Sequence, residues 1–142
     1  MQHILVATDG SASADRAVDA AAELVKAAGG TLSIVTVGGN LSAEETRQLA
    51  RSEGTISDAL EALSSQILAE AKSRAQRHGV AVGKTQAAWG DAAQGIIDIA
   101  RREGADAIVI GRRGRGRLAG LLLGSVSQKV ICLAPCAVIV VP

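Results

Sequence analysis

The chain has 142 residues, 48% of them hydrophobic, two cysteines and a formal net charge of +1. A chain of this size and composition is expected to form one domain across residues 1–142 with a core of its own, which excludes disordered and disulfide-stapled classes. With one Trp and no Tyr or Phe, that core must come from Ala, Val, Ile and Leu, and aromatic platforms for stacking single-stranded nucleic acid are absent.

His3 to Thr8 is a short apolar run ending at Asp9-Gly10-Ser11, so a buried strand leads into a turn and a helix N-cap. Ala14, Ala17, Val18, Ala21, Leu24, Val25 and Ala28 then keep helical spacing, and Gly29-Gly30 stops the helix before a second strand, Thr31 to Val37. Residues 38–54 are polar without an apolar stripe and read as an excursion with some helical character. From Thr55 to His78, the positions Ile56, Leu60, Leu63, Ile67, Leu68, Ala71 and Ala75 mark a long amphipathic helix. It stops at Gly79, ahead of a third strand from Val80 to Ala88.

Asp91, three residues before Gln94, caps a helix through Ile96, Ile97 and Ala100 that halts at Gly104, and Ala105 to Ile110 is the fourth strand. A last helix runs from Val126 to Leu133 with Ser125 as its cap and Gln128 three positions on. Pro135 ends it, and Ala137 to Val141 is the fifth strand. Strand and helix alternate throughout. The expected fold is therefore α/β: a single doubly wound, five-stranded parallel sheet with helices on both faces, Rossmann-like, in the order 3-2-1-4-5. Ligands of such sheets sit beyond the strand carboxyl ends where the order reverses, which points to Thr8-Asp9 and Ile110-Gly111.

Between the fourth strand and the last helix lies Gly111-Arg112-Arg113-Gly114, followed by Gly124-Ser125-Val126-Ser127. Glycines admit an anion close to backbone N–H groups, and a helix start adds free amides, hydroxyls and positive dipole charge. No Walker lysine is present. Residues 1–70 hold four Lys and Arg against ten Asp and Glu, whereas residues 71–142 hold eleven against four. Arg112, Arg113, Arg115 and Arg117 concentrate positive charge beside the glycine loop.

Gly111-x2-Gly114-x9-Gly124-Ser125, with Asp9 after the first strand and an apolar last strand, resembles the universal stress protein family, in its ATP-binding branch, over the whole chain. The resemblance implies that Ala7, Thr8 and Asp9 line an adenosine, with the Asp9 carboxylate near ribose hydroxyls or a metal, and that Val37 meets the adenine. It implies that Gly111 and Gly114, after Ile110, turn to admit phosphates, and that Gly124, Ser125, Val126 and Ser127 donate hydrogen bonds to them. ATP is the implied ligand, with Mg²⁺ or Mn²⁺ as its companion, in a homodimeric regulator of the stress response. The chain departs from the family in its arginine-rich loop and in Ala137, where many relatives have proline.

Several residues have simpler readings. Asp9 and Ser125 could be caps alone, and the glycines could be turns alone. Cys132 and Cys136 have no second ligand pair and are expected as buried reduced thiols. His3 and His78 are expected to be solvated at a strand edge and a helix end. Trp89 is expected to cover a sheet edge or an interface. Val138 to Val141, if at the sheet edge, invites a second copy to pair. No stretch reaches the length of a membrane helix, and residues 1–8 lack a signal-peptide pattern, so the cytoplasm is the expected location.

Three classes of function compete. The leading one is a non-catalytic nucleotide sensor, with slow ATP hydrolysis as its alternative because Asp9 and a metal could position water. Adenylating enzymes need a Ser-Gly-Gly-x-Asp-Ser loop where this chain has Asp9-Gly10-Ser11-Ala12-Ser13. Gly114-x-Gly116-x3-Gly120 is only superficially like a dinucleotide fingerprint, since no acid follows Asp106 to hold a ribose. Nucleic-acid binding through Arg113-Gly114-Arg115-Gly116-Arg117 is disfavoured by the short segment and the nearly balanced charge.

Overall fold

A computed structural model describes residues 2–38, 47, 56–112 and 123–142. In chain order these form β1 (His3–Ala7), α1 (Ala12–Ala28), β2 (Thr31–Gly38), α2 (Ile56–Arg77), β3 (Val82–Trp89), α3 (Ala92–Glu103), β4 (Ala107–Gly111), α4 (Ser125–Leu133) and β5 (Ala137–Val141). The strands make one sheet in the order β3-β2-β1-β4-β5, every pairing parallel. The doubly wound sheet expected from the alternation is the observed one. Element ends move by one or two residues. β3 begins at Val82 rather than Val80, β4 runs from Ala107 to Gly111 rather than from Ala105 to Ile110, and β1 stops at Ala7. The polar excursion, apart from Gly38 and Arg47, lies outside the described residues, as do Gly114, Arg113, Arg115 and Arg117.

Side chains of a strand alternate between faces, and β1 divides its four buried apolar residues accordingly. Ile4 and Val6 join Val18, Ala21 and Val25 of α1 and Ala71 and Ala75 of α2 on one face. Leu5 and Ala7 join Ile96 and Ala100 of α3 and Val130 of α4 on the other. Burial on both faces explains why the strands read as continuous apolar runs.

The helix ends follow their sequence signals. Ser11 Oγ accepts the Ala14 amide at 3.2 Å and Asp91 Oδ2 accepts the Gln94 amide at 3.0 Å, capping α1 and α3. Gly29 and Gly104 end the same two helices at φ 75° and 65°, left-handed positions that disfavour any side chain. These caps fix where each helix begins, and helices α1 and α4 both begin at the carboxyl edge of the sheet.

Candidate functional site

Parallel pairing sets Val6 beside Val109 and Gly111 beside Val141. The same register carries Ala7 on to the level of Ile110, so the ends of β1 and β4 meet at the point where the strand order reverses. Thr8 follows β1 and is 5% exposed. Its amide donates to the Val35 carbonyl at 2.9 Å, and its Oγ1 accepts the Gly10 amide at 3.1 Å. Asp9 Oδ1 accepts the Ser11 amide at 2.9 Å, closing an Asx turn. Asp9 and Ser11 therefore share the work that the sequence leaves open between them: Asp9 shapes the turn and Ser11 caps the helix.

Gly111 ends β4, and its lack of a side chain has a reason other than a turn. A Cβ at this position would lie 2.6 Å from Ser13 Oγ and 3.0 Å from the Ser13 carbonyl carbon. Among the described residues the positive-φ glycines are Gly10, Gly29, Gly79, Gly90 and Gly104, so Gly111 is required by the close approach of α1 to β4 rather than by turn geometry. Ser13 itself is buried, and its hydroxyl donates to the Val141 carbonyl at 3.4 Å. Sequence reasoning passes over Ser13, because its partners Gly111 and Val141 stand far along the chain.

The start of α4 is fastened to the end of β4. The Gly124 amide donates to the Arg112 carbonyl at 2.9 Å, and the Arg112 amide donates to the Val141 carbonyl at 2.6 Å. Ser127 is 3% exposed, and its hydroxyl reaches the carbonyls of Gly111 at 2.8 Å and Arg112 at 3.1 Å. Its single O–H proton is thus directed at the protein backbone. Gly124, not Ser125, is the N-cap, with φ −74°, ψ 164° and no side-chain cap bond; Ser125 is the first helical residue and is exposed. The first intrahelical bond runs from the Gln128 amide to the Gly124 carbonyl at 3.0 Å. The amides of Ser125, Val126 and Ser127 accordingly have no intrahelical acceptor, and they stand at the positive end of the α4 dipole.

Val37 is half-buried near the carboxyl end of β2. It packs with Ala88 against α3, where a Cβ on Gly95 would sit 3.4 Å from its Cγ2. Lys129 Nζ pairs with Asp91 Oδ2 at 2.8 Å, tying the first turn of α3 to α4. This ammonium, with the Gln94 amide behind it, holds the Asp91 carboxyl below the usual range.

The expectations for the cysteines and histidines need correction. Cys132 is exposed and Cys136 is half-buried; burial, followed by the nearby Asp106 charge, pushes the Cys136 thiol up. The histidines have side-chain partners. His78 Nε2 lies 2.9 Å from Asp19 Oδ1 and its Nδ1 lies 2.8 Å from Glu23 Oε1, while His3 Nε2 lies 2.9 Å from Ser33 Oγ. Trp89 covers the β2–β3 edge over Gly38. Among the described residues no group of three or more His, Cys, Asp or Glu side chains could hold a metal, and no helix is long and apolar enough to cross a membrane.

The model of the Universal stress protein family matches residues 1–142. Universal stress protein YxiE of Bacillus subtilis is 35% identical over an alignment of 154 positions that covers 97% of this chain and 97% of its own. A universal stress protein solved in complex with cAMP superposes with a TM-score of 0.74 at 29% identity, covering 99% of this chain and 97% of its own. The universal stress protein of Archaeoglobus fulgidus in complex with dAMP does so with a TM-score of 0.70 at 26% identity, covering 100% and 98%.

Proposed function

The chain belongs to the universal stress protein family, and from that premise we propose that it is an ATP-binding, non-catalytic regulator of the stress response, with residues 1–142 forming one nucleotide-binding domain. One observation carries this reading. The open amides of Ser125, Val126 and Ser127 are fastened by the Gly124 and Ser127 bonds to the edge where β1 delivers Thr8 and Asp9. Backbone donors at a helix start suit phosphates, and a carboxylate after β1 suits ribose hydroxyls. Relatives solved with cAMP and dAMP support the adenine nucleotide class.

In this proposal Ala7, Thr8 and Asp9 face the nucleoside and Val37 the base, while Ile110, Gly111, Gly114, Gly124, Ser125, Val126 and Ser127 surround the phosphates. Ser127 contributes its amide, because its hydroxyl proton is already directed at Gly111 and Arg112. The donor set fits a nucleotide-borne Mg²⁺ or Mn²⁺ better than a protein-held one. Such an ion is usually held by phosphates with one or two carboxylates, and Asp9 is the carboxylate that follows β1. When bound, it would neutralise phosphate charge.

The β5 edge lies at the border of the sheet, and two copies are proposed to pair through Val138 to Val141, where an edge strand offers unpaired backbone groups. The cytoplasm is the proposed location. Denaturing the purified protein and identifying the released nucleotide by mass spectrometry tests the central reading. ATP is expected from the wild type and none from Gly124→Trp. No released nucleotide, together with no calorimetric binding of ATP, ADP or cAMP, would overturn it. Slow turnover that vanishes in Asp9→Ala would replace the regulator with a weak ATPase.

A further inference from the structure

α3 and α4 stand on the same face of the sheet and leave β1 between them. α3 packs on β2 and β3, whereas α4 is fastened to β4 through Ser127 and packs beside β5. One ion pair crosses that interval at the carboxyl edge. Lys129 Nζ donates to Asp91 Oδ2 at 2.8 Å, joining α4 to the residue that caps α3. Ala7, Val35 and Val37 belong to this same face. The proposed path of a nucleotide, from Val37 across the end of β1 to the open amides of α4, therefore runs beside the pair.

Lys129 follows Ser125 by four residues within α4, about 6 Å of helical rise, and so shares a face with it. Helical side chains lean toward the amino end of their helix, and here the stem carries the ammonium to the opening of α3. β3 runs on to Trp89, paired with Gly38, while β1 stops at Ala7, paired with Val35. α3 thus opens farther out than β1 ends, which draws the ammonium toward the mouth. The Lys129 side chain is 46% exposed and that of Asp91 55%. An ion pair so exposed adds little to stability and is readily exchanged. A cation close to the amino end of a helix is disfavoured by the helix dipole. The Asp91 carboxylate offsets that repulsion, and a polyphosphate on the α4 amides carries more negative charge than one carboxylate. Asp91 keeps a partner after such an exchange, because its Oδ2 also accepts the Gln94 amide at 3.0 Å. We propose that Lys129 is the residue that grades ligands by phosphate charge: its ammonium passes from Asp91 to the outer phosphates of a bound nucleotide, so affinity rises from mono- to triphosphate. This inference rests on the nucleotide reading above. It adds a side chain outside both the glycine pattern and the strand ends.

Calorimetry on the full chain with ATP, ADP, AMP and adenosine tests the proposal. The wild type is expected to bind ATP more tightly than AMP. Lys129→Met, which keeps a stem and removes the charge, is expected to weaken ATP about fivefold, the upper range for a partly solvated ion pair. ADP should weaken less, and adenosine should be unchanged. Asp91→Asn keeps an N-cap of equal quality and frees the ammonium, so it is expected to strengthen ATP about two- to threefold. Lys129→Arg should retain most of the wild-type affinity. Raising the salt concentration should narrow the gap between the wild type and Lys129→Met.

The opposite signs of the two substitutions are the decisive readout. If both weaken ATP alike, the pair is a structural tie between α3 and α4 and the proposal is overturned. If either leaves ATP affinity where it was, the proposal is refuted while the nucleotide reading stands. If the wild type binds none of the four ligands, both fall. A far-ultraviolet melt of each variant separates these results from loss of fold.

Discussion

The two edges of the sheet are closed by different chemistry. At the amino edge, charged and polar side chains reach across strands and engage one another. Asp106 Oδ2 accepts the amides of Gln2 and His3, each at 2.8 Å. His3 meets Ser33 and the Glu103 carbonyl, and Gln86 bonds to both Glu103 and Arg102. At the carboxyl edge the fastening is done by backbone groups and hydroxyls: Thr8 on Val35 and Gly10, Ser13 on Val141, Ser127 on Gly111 and Arg112. Side chains that knit an edge shut leave little for a ligand. Backbone fastening instead holds α4 in place while its first amides keep no intrahelical acceptor, which is why the same sheet is a structural seam at one end and a candidate site at the other.

Substitutions at the two edges should separate stability from binding. The largest effect is expected from Gly111→Val, since even a Cβ there would meet the Ser13 backbone. Overpacking of this kind costs about 3 kcal/mol, and a urea melt should show that loss together with abolished ATP binding. Ser127→Ala is next. It leaves two backbone carbonyls without their hydroxyl donor, at a cost of about 1–2 kcal/mol, and it loosens the start of α4, so calorimetry should find ATP weaker by about tenfold. Ser125→Ala, at an exposed position without a cap bond, should stay within about 0.5 kcal/mol in stability. At the other edge, Glu103→Ala removes the acceptor of Gln86, and its side chain is 6% exposed. It should cost about 1 kcal/mol and leave ATP affinity within about twofold. Loss of ATP binding in Glu103→Ala, with the fold intact, would erase the distinction between the edges.

How much of this was legible in the chain follows from the range of each interaction. The sheet order came through because alternating strands and helices leave few topologies once crossovers are right-handed. Caps at Ser11 and Asp91 and stops at Gly29 and Gly104 came through because each is settled within a few residues. The glycine pattern falls at the carboxyl edge of the sheet, yet Gly111 owes its identity to Ser13, a contact between β4 and the first turn of α1 that no local pattern encodes. The family resemblance implies a phosphate donor at Ser127, and only the fold shows its hydroxyl turned toward Gly111 and Arg112. For Cys132, lacking a second ligand pair, the sequence predicts a buried thiol. Helix α4 in fact rests on the sheet through Ser127 and Val130, three residues apart, and Cys132 falls off that face. The histidine partners were missed for the same reason of distance, since His78 meets α1 only after α2 has folded back along it.

That α1–α2 contact supplies the smallest prediction and a last test of the contrast. Arg74 lies 2.8 Å from Asp19 Oδ2, and His78 sits between Asp19 and Glu23. The Arg74 hydrogen bond and then that of His78 outweigh burial and hold the Asp19 carboxyl below its ordinary range. Asp19 first, and Glu23 second, push His78 above its ordinary value. A histidine raised in the folded state stabilises fully below its unfolded pKa of about 6.5, and the contribution is lost as pH rises through the higher folded value. A lowered aspartate works the other way, stabilising above about 3.9 and losing that contribution as pH falls through its folded value. The clasp is therefore strongest between these limits, and thermal stability should decline slightly on raising the pH from 6 to 8. Because the groups are partly solvated, the change should stay within about 1 kcal/mol, or about 3 °C in Tm, and His78→Gln should flatten it. None of these groups stands at the carboxyl edge, so ATP affinity measured at the two pH values should not follow His78. An affinity change that tracks His78 and disappears in His78→Gln would show that the clasp and the site are coupled through α1.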